Sequence, residues 1–357
     1  MRSRPRSNRQ TFMPMSMDRI IARSACVCHF NGMFSQNPDD CVRKLGENEL
    51  IERIRAWLGP VAPPAPYGMG DDCAVLPAVT TSRQQIITTD SLTFGQHFDA
   101  SAHAHDAGAK LMNRNISDIA AMGGTPGPAL LNLLFGPDLS LLWLEQFIAG
   151  IRQCCEKFGV TVVGGDISQL PPGQFTASVT LTGLTDSPPA LRSTAEIGDT
   201  IYVTGTLGGS ILHKHLHFEP RIKEGQWLAA HEACTAMMDL TDGLGKDLAA
   251  LLPEGSSAAI NLQNLPLSHD ARECARKDSH SPQMHAFCDG EDYELLFTVA
   301  RGTQSEIFEK QWQTRFPELK VSCIGRIVNA HPAGRYIDIE SSEALPWQSG
   351  FEHFKQT

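Results

Sequence analysis

The sequence holds no apolar run approaching the roughly 20 residues that cross a bilayer as a helix, so no membrane span is expected. Its ten cysteines lack paired spacing. Cys26-Val27-Cys28 has no second CxxC or His pair to complete a zinc site, and Cys154-Cys155 sits in a helical pattern. Reduced thiols in a cytoplasmic protein are the expectation. A phosphate-binding P-loop is missing. Gly243-Leu244-Gly245-Lys246-Asp247 is the nearest string, without the upstream glycine spacing or the hydroxyl after lysine. No strand–GxGxxG–helix unit appears, which argues against a dinucleotide domain. No GxSxG elbow appears either. Basic charge is also short. Thirty Lys and Arg against 40 Asp and Glu give a net charge of −10, which argues against broad nucleic-acid binding. An anionic ligand would need metal ions or a few local cations.

What is present fits a folded protein of two domains. The chain has 357 residues, 41% hydrophobic and 20% charged. Residues 1–45 stand apart, because Arg2, Arg4, Arg6 and Arg9 precede the first acidic residue, Asp18. That composition resembles a transit peptide. An overextended start or a disordered tail is the preferred expectation, with Met13, Met15, Met17 and Met33 as alternative starts.

Apolar periodicity predicts helices over 47–58, 104–122, 140–158, 243–252 and near 303–316. It predicts strands over 73–76, 85–89, 130–135, 160–163, 175–184, 200–204, 258–262, 293–299 and 321–327. Residues 186–190, Asp-Ser-Pro-Pro-Ala, read as a linker. Alternating helices and strands indicate an α/β protein with α+β layers. The expected domains are 46–186 and 187–357. His213, His215 and His217 alternate, and a surface strand or loop is expected there rather than a metal site.

Five acidic motifs carry the chemistry: Gly70-Asp71-Asp72, Thr88-Thr89-Asp90, Asn115-Ile116-Ser117-Asp118, Gly164-Gly165-Asp166 and Asp239-Leu240-Thr241-Asp242-Gly243. One Asp-Gly motif alone is more often a turn or helix cap. Five at predicted element ends, with hydroxyls beside them, supply oxygen ligands without a Cys/His cluster. Such donors favour a hard cation, Mg²⁺ before Zn²⁺. Several Mg²⁺ ions suggest a polyphosphate.

In order and spacing these motifs resemble the thiamine-monophosphate kinase family, within the wider group that includes aminoimidazole ribonucleotide synthetase. The resemblance rests also on Gln96-His97-Phe98, on 202–208 (Tyr-Val-Thr-Gly-Thr-Leu-Gly), on 290–295 (Gly-Glu-Asp-Tyr-Glu-Leu) and on 350–354 (Gly-Phe-Glu-His-Phe). It runs from about Gly46 to the C-terminus. It implies a two-domain fold whose N-terminal sheet pairs with a second subunit in a homodimer, and a cleft between the domains. It implies transfer of the γ-phosphoryl of ATP to thiamine monophosphate. Carried over, Asp72, Thr88, Thr89, Asp90, Asp118, Asp166, Asp239 and Asp242 would hold Mg²⁺, with Asp90, Asp118 and Asp242 central to catalysis. Gly165, Asp166, Arg192 and Thr241 would touch ATP. His97, Glu291 and Phe351 would contact thiamine phosphate, and Asp71 would shape its turn. The sequence departs from the family at Gly209, where Asp is usual, with a shortened loop after it. The alternatives are another ATP-dependent enzyme of the same superfamily, or a catalytically silent Mg-nucleotide-binding scaffold.

Overall fold

The computed structural model describes residues 32–69, 73–76, 78–79, 83–347 and 350. The first half contains α1 (Glu47–Leu58), β1 (Gln84–Thr93), α2 (Ala104–Ala121), β2 (Thr125–Phe135), α3 (Leu141–Phe158), β3 (Thr161–Gln169) and β4 (Phe175–Thr185). Its sheet has the order β1-β4-β2-β3. β1/β4 and β4/β2 are antiparallel, whereas β2/β3 is parallel and is joined through α3, as a parallel pair requires a crossover. Strand β4 alternates buried and half-exposed residues over its whole length. Ala177, Val179 and Leu181 enter the core with Leu111, Ile116, Phe147 and Ile151 of α2 and α3. Thr176, Ser178, Thr180 and Thr182 take the other parity. This sheet is therefore covered by helices on one face.

Helices α2 and α3 pack closely because each offers a glycine at the crossing. A Cβ on Gly108 would overlap the Phe147 carbonyl oxygen, and one on Gly150 would overlap that of His105. Ser140 caps α3 by accepting from the Trp143 N–H, and Gly159 ends it in the left-handed conformation.

The second half contains β5 (Thr200–Thr204), α4 (Lys214–His217), α5 (Ile222–Ala230), β6 (Cys234–Asp239), α6 (Leu244–Leu251), β7 (Ser256–Ile260), α7 (His269–Asp278), α8 (Pro282–Cys288), β8 (Leu295–Val299), α9 (Ser305–Arg315), β9 (Val321–Asn329) and β10 (Tyr336–Asp338). Its sheet runs β10-β7-β9-β5-β8-β6 and is antiparallel except for β10/β7. Every residue of β8 is buried. Leu296 joins Ile201, Val203 and Met238 in one core, while Leu295, Phe297 and Val299 join Tyr202, Met237, Phe308 and Trp312 in another. Period-two side chains thus feed two cores, with helices on both faces. That explains why these strands read as continuous apolar runs.

The halves meet along α2. Ala121 belongs to a second-half core. Gly225 of α5 lies so close to the Ala120 carbonyl that a Cβ would overlap it. Asn113 Nδ2 donates to the Phe218 carbonyl at 3.1 Å. No helix among the described residues is long and apolar enough to cross a membrane.

Several expectations need correction. Residues 73–76 are irregular, not a strand. Thr88-Thr89-Asp90 and Gly164-Gly165-Asp166 lie inside β1 and β3, not at strand ends. β3 accommodates its glycines beside a register shift at Ala129/Leu130, where a Cβ on Gly165 would overlap the Leu131 carbonyl. His213, His215 and His217 fall on one helical turn, with His215 buried against the Ser210 carbonyl. The disorder expected for 1–45 does not hold over 32–45. There Phe34 and Cys41 form bridges to Leu139 and Ser140, and Met33 and Val42 enter the first core. Residues 1–31 lie outside the described residues. Helices α4, α5, α7 and α8 and strands β6 and β10 were not predicted.

The glycine crossing gives a direct test. Gly150→Val should lower the unfolding free energy by roughly 2–3 kcal/mol, read from the midpoint of a urea transition. An unchanged midpoint would contradict the close α2–α3 approach.

Candidate active site

Helix α2 presents polar groups to both halves from a mostly buried body. Lys110, Arg114 and Asp118 are spaced four apart, so they share one face, with Ser117 beside them. Toward β1, Thr88 Oγ1 donates to Asp118 Oδ2 at 2.5 Å, and the Asp90 N–H donates to Asn115 Oδ1 at 2.8 Å. Arg114 lies 3.5 Å from Asp90 Oδ2 and donates to the Ser91 carbonyl at 2.6 Å. Toward β6, Ser117 Oγ donates to Asp239 Oδ2 at 2.6 Å. Asp90, Asp118 and Asp239 therefore converge from three elements at the junction of the two halves.

Asp118 and Asp239 lack a sufficient counter-charge from the protein. Burial, and then the charge of Asp239, push Asp118 up to about 7. Burial raises Asp239 to about 6, with the Ser117 hydrogen bond opposing it. Arg192, in the single turn Arg192–Thr194, pulls both values down without offsetting the burial. Among the described residues, no three of these carboxylates bring their oxygens within 4.8 Å of one another. The spread suits cations that complete their coordination with ligand oxygens better than a protein-only cage.

The segment 289–294 packs against α2 beside these carboxylates. Gly290, Glu291 and Tyr293 all have positive φ (75°, 53° and 50°), which is costly for the two non-glycine residues. Backbone bonds hold it there, from Glu291 N–H to the Thr241 carbonyl (2.7 Å) and from Tyr293 N–H to the Leu240 carbonyl (2.8 Å). Each acid of the segment has a separate partner. Glu291 meets Lys110 Nζ at 2.8 Å. Buried Asp292 accepts the Gly208 N–H at 2.9 Å, and burial raises it to about 7. Buried Glu294 accepts from Lys214, Arg221 and Thr204 at 2.7–2.8 Å. Tyr293 stacks on Phe218 with centroids 3.7 Å apart.

Lys110 joins two of the expected substrate residues. It is fully buried and donates to the His97 carbonyl at 2.8 Å as well as to Glu291. Burial lowers its pKa, and Glu291 opposes that shift. Burial would raise Glu291, but the Lys110 ammonium holds it below the usual carboxylate range. His97 Nδ1 accepts the Thr93 N–H at 3.0 Å, which fixes the ring.

Other expected residues sit apart. Asp242 is ion-paired with Lys246 at 2.5 Å. The Thr241 and Asp242 N–H groups both donate to Asp247 Oδ2 at 2.9 Å, holding the turn after β6. Thr89 Oγ1 donates to the Val179 carbonyl at 3.0 Å. Asp166 is exposed on β3 and accepts from Ser168 at 2.8 Å. Its register row runs Asp166–Asn132–Ser178–Ser91, so three strand spacings, roughly 14 Å, separate it from β1. One chain does not bring Asp166 or its neighbour Gly165 to the other acids. Asp71, Asp72 and Phe351 lie outside the described residues. At the departure from the family pattern, Gly209 has φ 70° and a Cβ would overlap the Asp270 backbone. Its N–H donates to Asp289 at 2.7 Å. Sequence reasoning missed Lys110, Arg114, Tyr293 and Asp247. For Arg114 the signal existed, as its four-residue spacing from Asp118.

The sequence family described as AIR synthase related protein, N-terminal domain, matches residues 70–185. The structure of the hydrogenase maturation protein HypE in complex with ATP has a similar fold, with a TM-score of 0.70 at 16% identity, covering 89% of this chain and 98% of that one. Two sheets flanked by helices, with acidic motifs at their junction, thus define a protein of the AIR synthase related class. Within it, this chain is 34% identical to the thiamine-monophosphate kinase of Rhodopirellula baltica, over 82% of this chain and 92% of that one. It is also similar to the solved AaThiL complexed with AMPPCP and TMP, at 30% identity and a TM-score of 0.65, covering 88% of this chain and 98% of that one. The chain belongs to the thiamine-monophosphate kinase family.

The Lys110–Glu291 pair is open to a mutational cycle. Lys110→Met should destabilise the fold by about 3 kcal/mol, moderated because Glu291 remains 24% exposed. Adding Glu291→Gln should recover part of that loss in the same urea titration. Independent, additive losses would contradict the pairing.

Proposed function

We propose that this protein phosphorylates thiamine monophosphate to thiamine diphosphate with ATP, releasing ADP. The observation that carries the reading is the convergence of Asp90, Asp118 and Asp239 on the junction between the halves, in a chain of this family. A relative, AaThiL, has been solved with AMPPCP and TMP. The donor set contains oxygens only, and its buried carboxylates are driven toward the neutral form when no cation is near. It therefore fits Mg²⁺. Asp90, Asp118 and Asp239, with the Thr88 hydroxyl, would hold such ions. Asp72, Thr89, Asp166 and Asp242 are further proposed ligands. When bound, Mg²⁺ supplies charge neutralisation between two polyanions and stabilises the transferring phosphoryl group.

The chain's own residues then have simple tasks. The acceptor is a phosphate monoester, whose second pKa near 6 leaves its oxygen ionised at neutral pH. No strong general base is needed, and transfer is direct, without a phosphoenzyme. Arg192 contributes positive charge toward the nucleotide, with Gly165, Asp166 and Thr241 as further nucleotide contacts. His97, Glu291 and Phe351 are the proposed contacts to thiamine phosphate, with Lys110 fixing the first two.

The uncovered face of the first sheet carries Ile87 and Leu130, 69% and 43% exposed. A second copy covering that face would make a homodimer and supply the partner surface near Asp166. Residues 46–186 and 187–357 form the two proposed domains, and the cytoplasm is the proposed compartment.

Incubation of the purified protein with ATP, Mg²⁺ and thiamine monophosphate should yield thiamine diphosphate. Asp90→Asn should lower kcat by about 100-fold or more while leaving the circular dichroism spectrum and melting curve intact. ATP binding without product would favour the silent scaffold, and normal turnover in the variant would remove Asp90 from the metal set.

A further inference from the structure

Beyond the cleft, the connection between α7 and α8 gathers a different set of donors. Helix α7 ends at Asp278, and Ser279 reverses the chain with a left-handed φ of 68°. Ser281 then caps α8 by accepting the Met284 N–H at 3.1 Å, and Pro282 starts the helix. This tight turn points the first turn of α8 back at the end of α7. As a result Asp278, His280 and His285 each place one ligand atom within 4.8 Å of the others.

The two histidines approach different oxygens of Asp278 at distances that suit either a hydrogen bond or a shared ion. His285 Nε2 is 3.3 Å from Asp278 Oδ1, and His280 Nδ1 is 3.2 Å from Asp278 Oδ2. Ligands bonded at 2.0–2.1 Å to a tetrahedral zinc ion stand about 3.3 Å from one another. The remaining nitrogen of His285, Nδ1, is 3.0 Å from Asp289 Oδ2. A carboxylate behind a histidine fixes the tautomer and turns the distal nitrogen toward a metal. With Nδ1–H donating to Asp289, the Nε2 lone pair faces Asp278. His285 is buried, whereas His280 keeps a third of its side chain exposed, which leaves a route for entry and room for water.

We propose that Asp278, His280 and His285 form a binding site for a divalent transition ion of the zinc type, with Asp289 orienting His285 from behind. Two nitrogens and one carboxylate select a borderline ion over Mg²⁺. Asp289 also accepts the Gly209 N–H at 2.7 Å and directly precedes Gly290. An ion at this site would therefore anchor the start of the segment carrying Glu291, from outside the cleft. The competing state is an imidazolium at His285 paired with both aspartates.

Full-length protein stripped by a chelator should bind one Zn²⁺ per chain in excess Mg²⁺, measured by competition with a chromophoric chelator. Co²⁺ in its place should give tetrahedral d–d absorption without a thiolate charge-transfer band. His280→Ala should weaken Zn²⁺ binding at least 10-fold with the fold unchanged by circular dichroism. Asp278→Asn should do the same, and Cys274→Ser, one turn before Asp278, should have no effect. The proposal is overturned by no retained Zn²⁺, by equal affinity in His280→Ala, or by loss of binding in Cys274→Ser.

Discussion

A helix laid between two sheets must bury whatever faces both, and α2 faces its neighbours with Lys110, Arg114, Ser117 and Asp118 as well as with Leu111, Ile116 and Ile119. Charges there cannot be left alone, because an unpaired buried ion costs several kcal/mol. Lys110 therefore fixes where Glu291 sits, and with it a segment whose backbone adopts costly positive φ values. Ser117 fixes Asp239, and Asn115 fixes the backbone of Asp90. The junction of the halves is set by electrostatics as much as by apolar packing.

The cations at the junction are spent on some of its acids and short at others. Glu291 and Glu294 are held below the usual carboxylate range by lysine and arginine. Asp118 and Asp239 are raised, despite Arg192. Glu291 and Glu294 thus find their counter-charge on the chain, whereas Asp118 and Asp239, like Asp292, are raised by burial. In the proposed function, a polyphosphate accompanied by metal ions would supply that charge, and Glu291 would orient the substrate.

Much of this was legible in the sequence, though unevenly. α1, α3 and β5 follow from apolar periodicity, and the acidic motifs pointed to hard cations before any geometry. The motifs' placement was less legible. Gly-Gly-Asp reads as a turn, yet its glycines serve a bulged strand packed on Leu131. The gap between Asp166 and the other acids depends on strand order, which is a long-range property. Lys110 was hidden by the apolar residues around it, since a buried lysine becomes visible only with its distant partner, 181 residues on. Helix α7 buries only Ala271, and α8 has seven residues, too short for a helical period to show.

The central claim is that Asp118 and Asp239, short of cations on the chain, hold metal with nucleotide together with Asp90. Mn²⁺ in place of Mg²⁺ tests it directly, because its paramagnetic resonance signal counts bound ions. With a non-hydrolysable ATP analogue, the protein should bind more than one Mn²⁺ per chain, and Asp118→Asn should lose at least one of them. Equal Mn²⁺ stoichiometry and affinity in the two proteins would contradict the account.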